Sequence, residues 1–331
     1  MKAFLVMDIG GTYFRSGSYL ESGVLVDVKK VNSDNFINLP DITIEQMQQD
    51  FLESITRIVE EYKLSNDYRI TGLGISFPGP VTDEGVVREA PTLWGNTSSE
   101  FPLRHLLQLR FSDLEVIVMN DVTAAGWRYV KSKSDRFCII TVSSGIGNKV
   151  FWNGEVLIDS NGSGGEIGHS YYGGRFKELV CDCGCKGHLG AISSGRGVEK
   201  VGEYLKNEYP EQFTLSLLSH SPKITTFEMI KALAAEDDFA KIILDESIKP
   251  LAHSMSFICQ LIGIKRFVII GGFAIAVGNP YIETLKRHLN ELHEFQKDTE
   301  IEIVFGENDD NHGLIGLGKY INVVEGNGRL C

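Results

Sequence analysis

The sequence predicts an α/β protein built of two related lobes, and three observations carry that prediction. The chain has 331 residues, 43% of them hydrophobic, and domains of roughly 100–200 residues are the usual unit, so two cores fit better than one. A strand, a turn of small residues and a second strand occur at Phe4–Leu20 and again at Phe137–Trp152. An internal echo of that kind implies two related domains facing each other across a cleft.

Lys2–Met7 reads as a buried strand, ended by Asp8-Ile9-Gly10-Gly11-Thr12, and Tyr13–Leu20 resumes the strand pattern. Glycines at 10 and 11 remove the Cβ atoms that would keep a phosphate from the backbone, Thr12 adds a hydroxyl donor, and Asp8 can face a magnesium ion through water. A plain glycine hairpin fits the same residues. Ile44–Tyr62 carries Met47, Phe51, Ile55, Ile58 and Val59 at helical spacing. Arg69–Phe77 alternates as a strand and is stopped by Pro78-Gly79-Pro80. The loop Glu89–Asn96 that follows is either ordinary surface or a ligand wall in which Trp94 offers a ring and Asn96 an amide.

Leu103–Leu109 is helical, with Pro102 suited to its first turn. The short strand Leu114–Met119 delivers Asn120-Asp121 at its carboxyl end, where open α/β sheets gather ligands. Val122–Val130 is helical, so Asp121 stands at a helix start whose dipole favours the ionised carboxylate. A helix cap explains the same position. Phe137–Val142 leads into Ser143-Ser144-Gly145-Ile146-Gly147, the second phosphate-type turn, before strands at Lys149–Trp152 and Val156–Leu157.

Gly165-Glu166-Ile167-Gly168-His169 comes next, then Cys181, Cys183, Cys185 and His188. His169, Cys181, Cys183 and His188 supply two imidazoles and two thiolates, a tetrahedral set suited to structural Zn²⁺. Cys185 is an alternative ligand, and a cluster of reduced thiols the alternative reading. The remaining cysteines, Cys138, Cys259 and Cys331, stand apart, and clustering of the other three in a reducing compartment points to metal rather than disulfides. Helices are expected over Gly197–Leu205, Thr226–Ala234, Phe239–Leu261, Ile282–Leu292 and His312–Val324, with strands at Phe267–Ile270 and Ile301–Val304. The first of these strands ends in Gly271-Gly272-Phe273, where a flat ring can rest on exposed backbone, or where the strand simply stops. The tail Glu325–Cys331 is expected to fray.

A formal net charge of -12 argues against wrapping nucleic acid, which needs clustered Lys and Arg. The first apolar run stops after five residues without a cleavage site, and no run approaches the roughly 20 residues of a membrane span. A cytoplasmic protein without membrane or nucleic-acid partners is therefore expected.

Taken together, Asp8–Thr12, Asn120-Asp121, Ser144–Gly147, Glu166-x-Gly168-His169, Cys181-x-Cys183-Gly184-x-x-Gly187 and Gly271-Gly272 resemble, in order and over residues 2 to 322, the ROK-family sugar kinases. The resemblance implies the two-lobed fold shared with actin, hexokinase and Hsp70 (ribonuclease H-like), with mixed sheets flanked by helices. The expected division is a smaller lobe over residues 1–118, completed by the helix 312–324, and a larger one over 119–311. The resemblance further implies ATP-dependent phosphorylation of a sugar-like hydroxyl, with Asp121 as base, Asn120, Glu166 and His169 as substrate contacts, and His169 also on zinc. Gly11, Thr12, Ser144 and Gly145 resemble the phosphate loops, and Gly272 the adenosine site. ATP, Mg²⁺ and a structural Zn²⁺ are the implied cofactors, and a homodimer the implied assembly. A sugar-responsive repressor is disfavoured, since only seven residues precede Asp8; a non-catalytic sugar sensor is the alternative.

Two departures from the family pattern bear on the substrate. His188 replaces the third box cysteine, and Gly190 replaces a glutamate that contacts a sugar hydroxyl. A buried hydroxyl without that acceptor costs about 1–3 kcal/mol, so an amino sugar, a modified sugar or a cyclitol is expected rather than plain glucose or N-acetylmannosamine. The second turn also continues Gly147-Asn148-Lys149, where Lys149 is expected near phosphate or in solvent.

Overall fold

The computed structural model describes residues 2–65, 68–95, 100–292 and 300–324, so the tail expected to fray lies outside the described residues. Its strands are β1 (Lys2–Ile9), β2 (Tyr13–Leu20), β3 (Leu25–Asn32), β4 (Arg69–Phe77), β5 (Glu115–Asn120), β6 (Arg136–Val142), β7 (Ile146–Trp152), β8 (Glu155–Val156), β9 (Arg266–Ile270) and β10 (Glu302–Phe305). Two compact units form, Met1–Asp135 with Asn153–Gly164 and Asp309–Cys331, and Arg136–Trp152 with Gly165–Asn308.

In the first unit the strand order is β3-β2-β1-β4-β5. β1 pairs antiparallel with β2 and parallel with β4, and β4 parallel with β5. β1 is apolar at every position from Ala3 to Met7 because both faces of the sheet are covered. Ala3, Leu5 and Met7 join Leu52, Ile55 and Val59 of the helix Ile44–Ser65. Phe4 and Val6 join Leu314, Leu317 and Ile321 of the helix His312–Val324.

The second unit repeats the motif. Its sheet carries the order β10-β9-β6-β7, with β6 antiparallel to β7 and parallel to β9. Cys138, Ile140 and Val142 of β6 pack into one core with Val198, Val201 and Leu205 of the helix Gly195–Leu205, Ile243 and Leu251 of Asp238–Ile262, and Leu285 of Asn279–Leu292. The echo read from the two glycine turns is thus a repeated hairpin at the start of each sheet.

Two expectations are corrected and one element is added. Residues 119–135 belong with the first unit rather than beyond a boundary at 118/119. The helix Asp121–Trp127 places Ala124 in the cluster formed by Leu314, Leu317 and Ile321, so β5 and its following helix are not divided. The loop 89–96 contains a short helix, Pro91–Trp94, and Trp94 is buried against Phe77 and Phe101 rather than presented as a ring on an open wall. The edge strand β3 is an addition to the expected elements: its apolar rhythm breaks at Lys29-Lys30, and both lysines are exposed together with Val28 and Val31. Lysines on such an edge oppose pairing with another chain. Among the described residues no helix is long and apolar enough to cross a membrane.

Candidate functional site

The parallel strands of the first unit bring three loops to one edge of its sheet. β1 ends at Asp8-Ile9, β4 at Phe77 before Gly79, and β5 at Asn120, with Asp8 in register with Ser76 and Phe77 with Asn120. Ser76 Oγ donates to Asp8 Oδ1 at 2.6 Å, and Arg15 lies 4.0 Å from the other oxygen. Burial pushes the Asp8 carboxyl up from its ordinary range, against the opposing pull of Ser76 and Arg15.

The glycine turn is held from behind. Ser33 Oγ donates to the Gly10 carbonyl at 2.6 Å, Asn35 Nδ2 donates to the Gly11 carbonyl at 2.8 Å, and the Ser33 N–H donates to Thr12 O at 3.0 Å. A Cβ on Gly11 would stand 3.0 Å from Thr92 Cβ. Thr12 is exposed. Ser33 and Asn35 follow the unannounced β3, so sequence reasoning missed them.

At Asn120-Asp121 the cap is Asn120. Its Oδ1 accepts from the N–H groups of Val122 and Thr123, both at 3.1 Å, which satisfies donors at the start of Asp121–Trp127. Its Nδ2 donates to the Gly79 carbonyl at 3.0 Å and to Asp121 Oδ1 at 2.9 Å. Val122 N–H also donates to Asp121 Oδ1, at 2.8 Å. Two donors therefore fix the Asp121 carboxylate at the helix start, and Asn120 is the residue that orients it. Asn96, expected as a substrate contact, lies outside the described residues.

In the second unit a cavity of ≈950 Å³ is lined by Ser143 and Ser144 of the turn after β6, Gly272 and Phe273 after β9, and the start of the helix Gly195–Leu205. β6 and β9 run parallel, Thr141 beside Ile270, so both loops leave the same edge. Gly271 needs its φ of 103°, and a Cβ there would lie 2.5 Å from the Val142 carbonyl oxygen. Gly145 and Gly272 have open space in front of them. The opposite wall comes from Glu199, Lys223 and Thr226, where Glu199 Oε1 accepts from Thr226 N–H (2.7 Å) and Oγ1 (2.8 Å). The expected Ser144 and Gly272 line this cavity, Gly271 shapes it, and the helical wall is one that sequence reasoning missed.

The second unit also gathers His169, Cys181, Cys183 and His188, whose ligand atoms all lie within 4.8 Å of one another. Cys183 Sγ is 3.3 Å from His188 Nδ1. Burial alone would raise the Cys183 thiol, but hydrogen bonds from the Cys185 N–H, His169 and Cys181 outweigh it and bring the pKa down to about 6. Tetrahedral zinc bonds of about 2.0–2.3 Å place ligand atoms about 3.3–3.8 Å apart, so the widest pair would close by about 1 Å or more on binding, while the donor set itself, two imidazoles and two thiols, is one that suits Zn²⁺. Cys185 stands outside the four, its carbonyl accepting from Cys181 N–H at 2.8 Å.

Glu166 immediately precedes the 3₁₀ turn Ile167–His169, and His169 is its last residue. Lys149 does not point to solvent, one of the two places expected of it; it is buried, with Nζ 3.5 Å from Glu166 Oε1. At Gly190 a Cβ would lie 3.0 Å from the Gly168 carbonyl oxygen and 3.8 Å from Cys181 Sγ, so the backbone itself leaves little room for a larger residue.

Comparison with known proteins adds three findings. The model of the ROK family matches residues 4–321. A C(7)-cyclitol 7-kinase of Streptomyces hygroscopicus subsp. jinggangensis (strain 5008) is 38% identical over 325 residues, 95% of this chain and 92% of the relative, while a glucokinase of Halalkalibacterium halodurans is 26% identical over 86% of this chain and 84% of its own. The crystal structure of a ROK hexokinase from Thermus thermophilus superposes with a TM-score of 0.75 at 22% identity, covering 98% of this chain and 100% of that one, and so bears out the fold.

Proposed function

The chain belongs to the ROK family, and from that premise we propose that it is an ATP-dependent kinase acting on a hydroxyl of a cyclitol. The observation that carries the reaction type is the fixing of Asp121, whose Oδ1 is held by Asn120 Nδ2 and Val122 N–H at the carboxyl end of a parallel strand. The acceptor class is supported by the relative named as a cyclitol kinase, 38% identical against 26% for the glucokinase. The missing carboxylate at Gly190 agrees with an acceptor other than glucose.

Asp121 orients the acceptor hydroxyl and takes its proton late, because phosphoryl transfer has a loose transition state that depends mainly on positioning and charge neutralisation. The Ser143–Gly145 turn and Gly272 receive the nucleotide in the ≈950 Å³ cavity, its phosphates toward the turn. Asp8, with Gly10, Gly11 and Thr12 beside it, is the group that would face Mg²⁺, which when bound offsets phosphate charge. Zn²⁺ on His169, Cys181, Cys183 and His188 would be structural, since four protein ligands leave no open position. Glu166 and His169 then contact the polyol.

The test is ADP release over a panel of cyclitols, hexoses and amino sugars. We expect a C7-cyclitol to be the best acceptor and Asp121→Asn to lower kcat by about 10²–10⁴-fold with acceptor affinity largely kept. Turnover near the parent's in that variant would refute Asp121 as the base. A hexose outpacing every cyclitol would refute the acceptor class, and acceptor binding without ADP release would favour a non-catalytic sensor.

A further inference from the structure

Lys149, at 2% exposure, is among the few charged side chains buried in the described residues. A buried ammonium is unfavourable unless a carboxylate meets it. Here the carboxylate is Glu166, at 3.5 Å, whose own side chain is 49% exposed. The pair therefore runs from inside the second unit to the surface that the Glu-x-Gly-His segment presents.

The local backbone is shaped around this lysine. Gly165 adopts a φ of +73°, and a Cβ there would lie 2.8 Å from Lys149 Cδ, 3.1 Å from Nζ and 2.3 Å from the Asn148 carbonyl oxygen. Only glycine lets the loop pass this close to the lysine stem. The neighbouring Asn148, also buried, accepts from Ile167 N–H at 3.0 Å. Two successive residues of β7 thus grip the loop on both sides of Glu166, one through its backbone and one through its charge.

We infer that Lys149 is a positioning residue for acceptor recognition: it fixes the Glu166 carboxylate in the orientation that receives the polyol hydroxyls. This rests on the kinase reading above, from which Glu166 takes its role. With the glutamate at 190 absent, Glu166 is left as the carboxylate acceptor of this segment, and its orientation decides affinity. Charge-assisted hydrogen bonds fixed in place are stronger than mobile ones, so releasing Glu166 weakens polyol binding and leaves nucleotide binding alone.

The experiment measures calorimetric binding of the best cyclitol and, separately, of a non-hydrolysable ATP analogue, to the parent, Lys149→Met, Glu166→Gln and the double variant. We expect Lys149→Met to weaken cyclitol binding by about 10-fold or more, to raise KM far more than it lowers kcat, and to leave analogue affinity unchanged. The double variant should bind no worse than the weaker single one. Lys149→Arg, which keeps the charge, should recover most of the affinity. If Lys149→Met does not fold, Lys149→Arg and Glu166→Gln decide: equal loss in both, with Arg giving no recovery relative to Gln, overturns the inference. Parental cyclitol affinity in Lys149→Met, or additive losses in the double variant, overturns it too. Failure of the parent to bind any polyol would instead overturn the kinase reading.

Discussion

His312 opens the C-terminal helix of the first unit with Nδ1 2.8 Å from the Tyr129 hydroxyl and 3.3 Å from Arg128. Burial, aided by the Arg128 guanidinium, lowers its pKa from 6.5 to about 4. The unfolded chain therefore binds a proton between these values that the folded chain refuses. Stability is full above pH 6.5 and falls as the pH drops toward 4, by on the order of 2–3 kcal/mol. Asp309 extends the same limb: its bidentate pairing with Arg128 holds it at about 2, so its contribution is present above 3.8 and lost as the pH falls through 2. Urea unfolding at pH 7 and pH 5 should show the loss, and His312→Asn should flatten it over that interval. An unchanged pH slope in the variant would remove His312 as the cause. Nothing in the sequence could announce this residue as more than a helix start, because Arg128 and Tyr129 are brought to it from far along the chain.

At the scale of elements, the segment that carries the clustered cysteines and His188 is stitched to the wall of the ≈950 Å³ cavity. Asp182, between two of the zinc-type ligands, accepts from Arg196 at 2.6 Å and Lys200 at 3.4 Å, and Lys200 also donates to the Val180 carbonyl at 2.7 Å. Arg196 and Lys200 line the ≈950 Å³ cavity. Ordering of the segment by metal should therefore reach nucleotide affinity as well as polyol affinity. Exposed ion pairs are worth only about 0–1 kcal/mol each, so Asp182→Asn should weaken a non-hydrolysable ATP analogue by about 2–5-fold while zinc analysis still finds one metal per chain. Stripping the metal with a chelator should weaken the analogue at least as much; unchanged affinity after stripping would separate the two elements. What was legible here follows one rule. Side chains close in sequence, such as Cys181, Cys183 and His188, which the fold gathers with His169, and loops that are glycine by necessity, such as Gly271, declare themselves by spacing and composition. The walls made by Glu199, Lys223 and Thr226, and the anchors Ser33, Asn35 and Gly79, owe their places to strand order and helix packing, and their residue types are ordinary. β3 escaped notice for the related reason that a strand exposed along most of its length keeps little apolar rhythm to read.

At the scale of the whole molecule, the first unit is completed by a helix drawn from the end of the chain. His312–Val324 covers the sheet face formed by Phe4, Val6 and Tyr19 and packs on Asp121–Trp127 through Ala124. The covering is close because the helix is glycine-rich on that side. A Cβ on Gly313 would come within 2.5 Å of Asp8 Oδ1, one on Gly316 would run into the Ala124 carbonyl, and one on Gly318 would strike the Tyr19 ring. These glycines bring the helix backbone against the helix Asp121–Trp127 and the Asp8 carboxylate together. Gly316→Ala forces the two helices apart, and overpacking of this kind costs about 1–3 kcal/mol. We therefore expect a lowered unfolding midpoint in urea and a fall in kcat, since Asp121 begins the helix that must move. Gly263→Ala serves as the control for glycine loss alone: Gly263 caps the helix Asp238–Ile262 in the second unit, strained for alanine by its φ of 71° yet with open space around the added methyl. It should cost stability without the selective loss of kcat. Equal effects of the two substitutions on kcat would mean that the closing helix holds the fold together but does not set the position of Asp121.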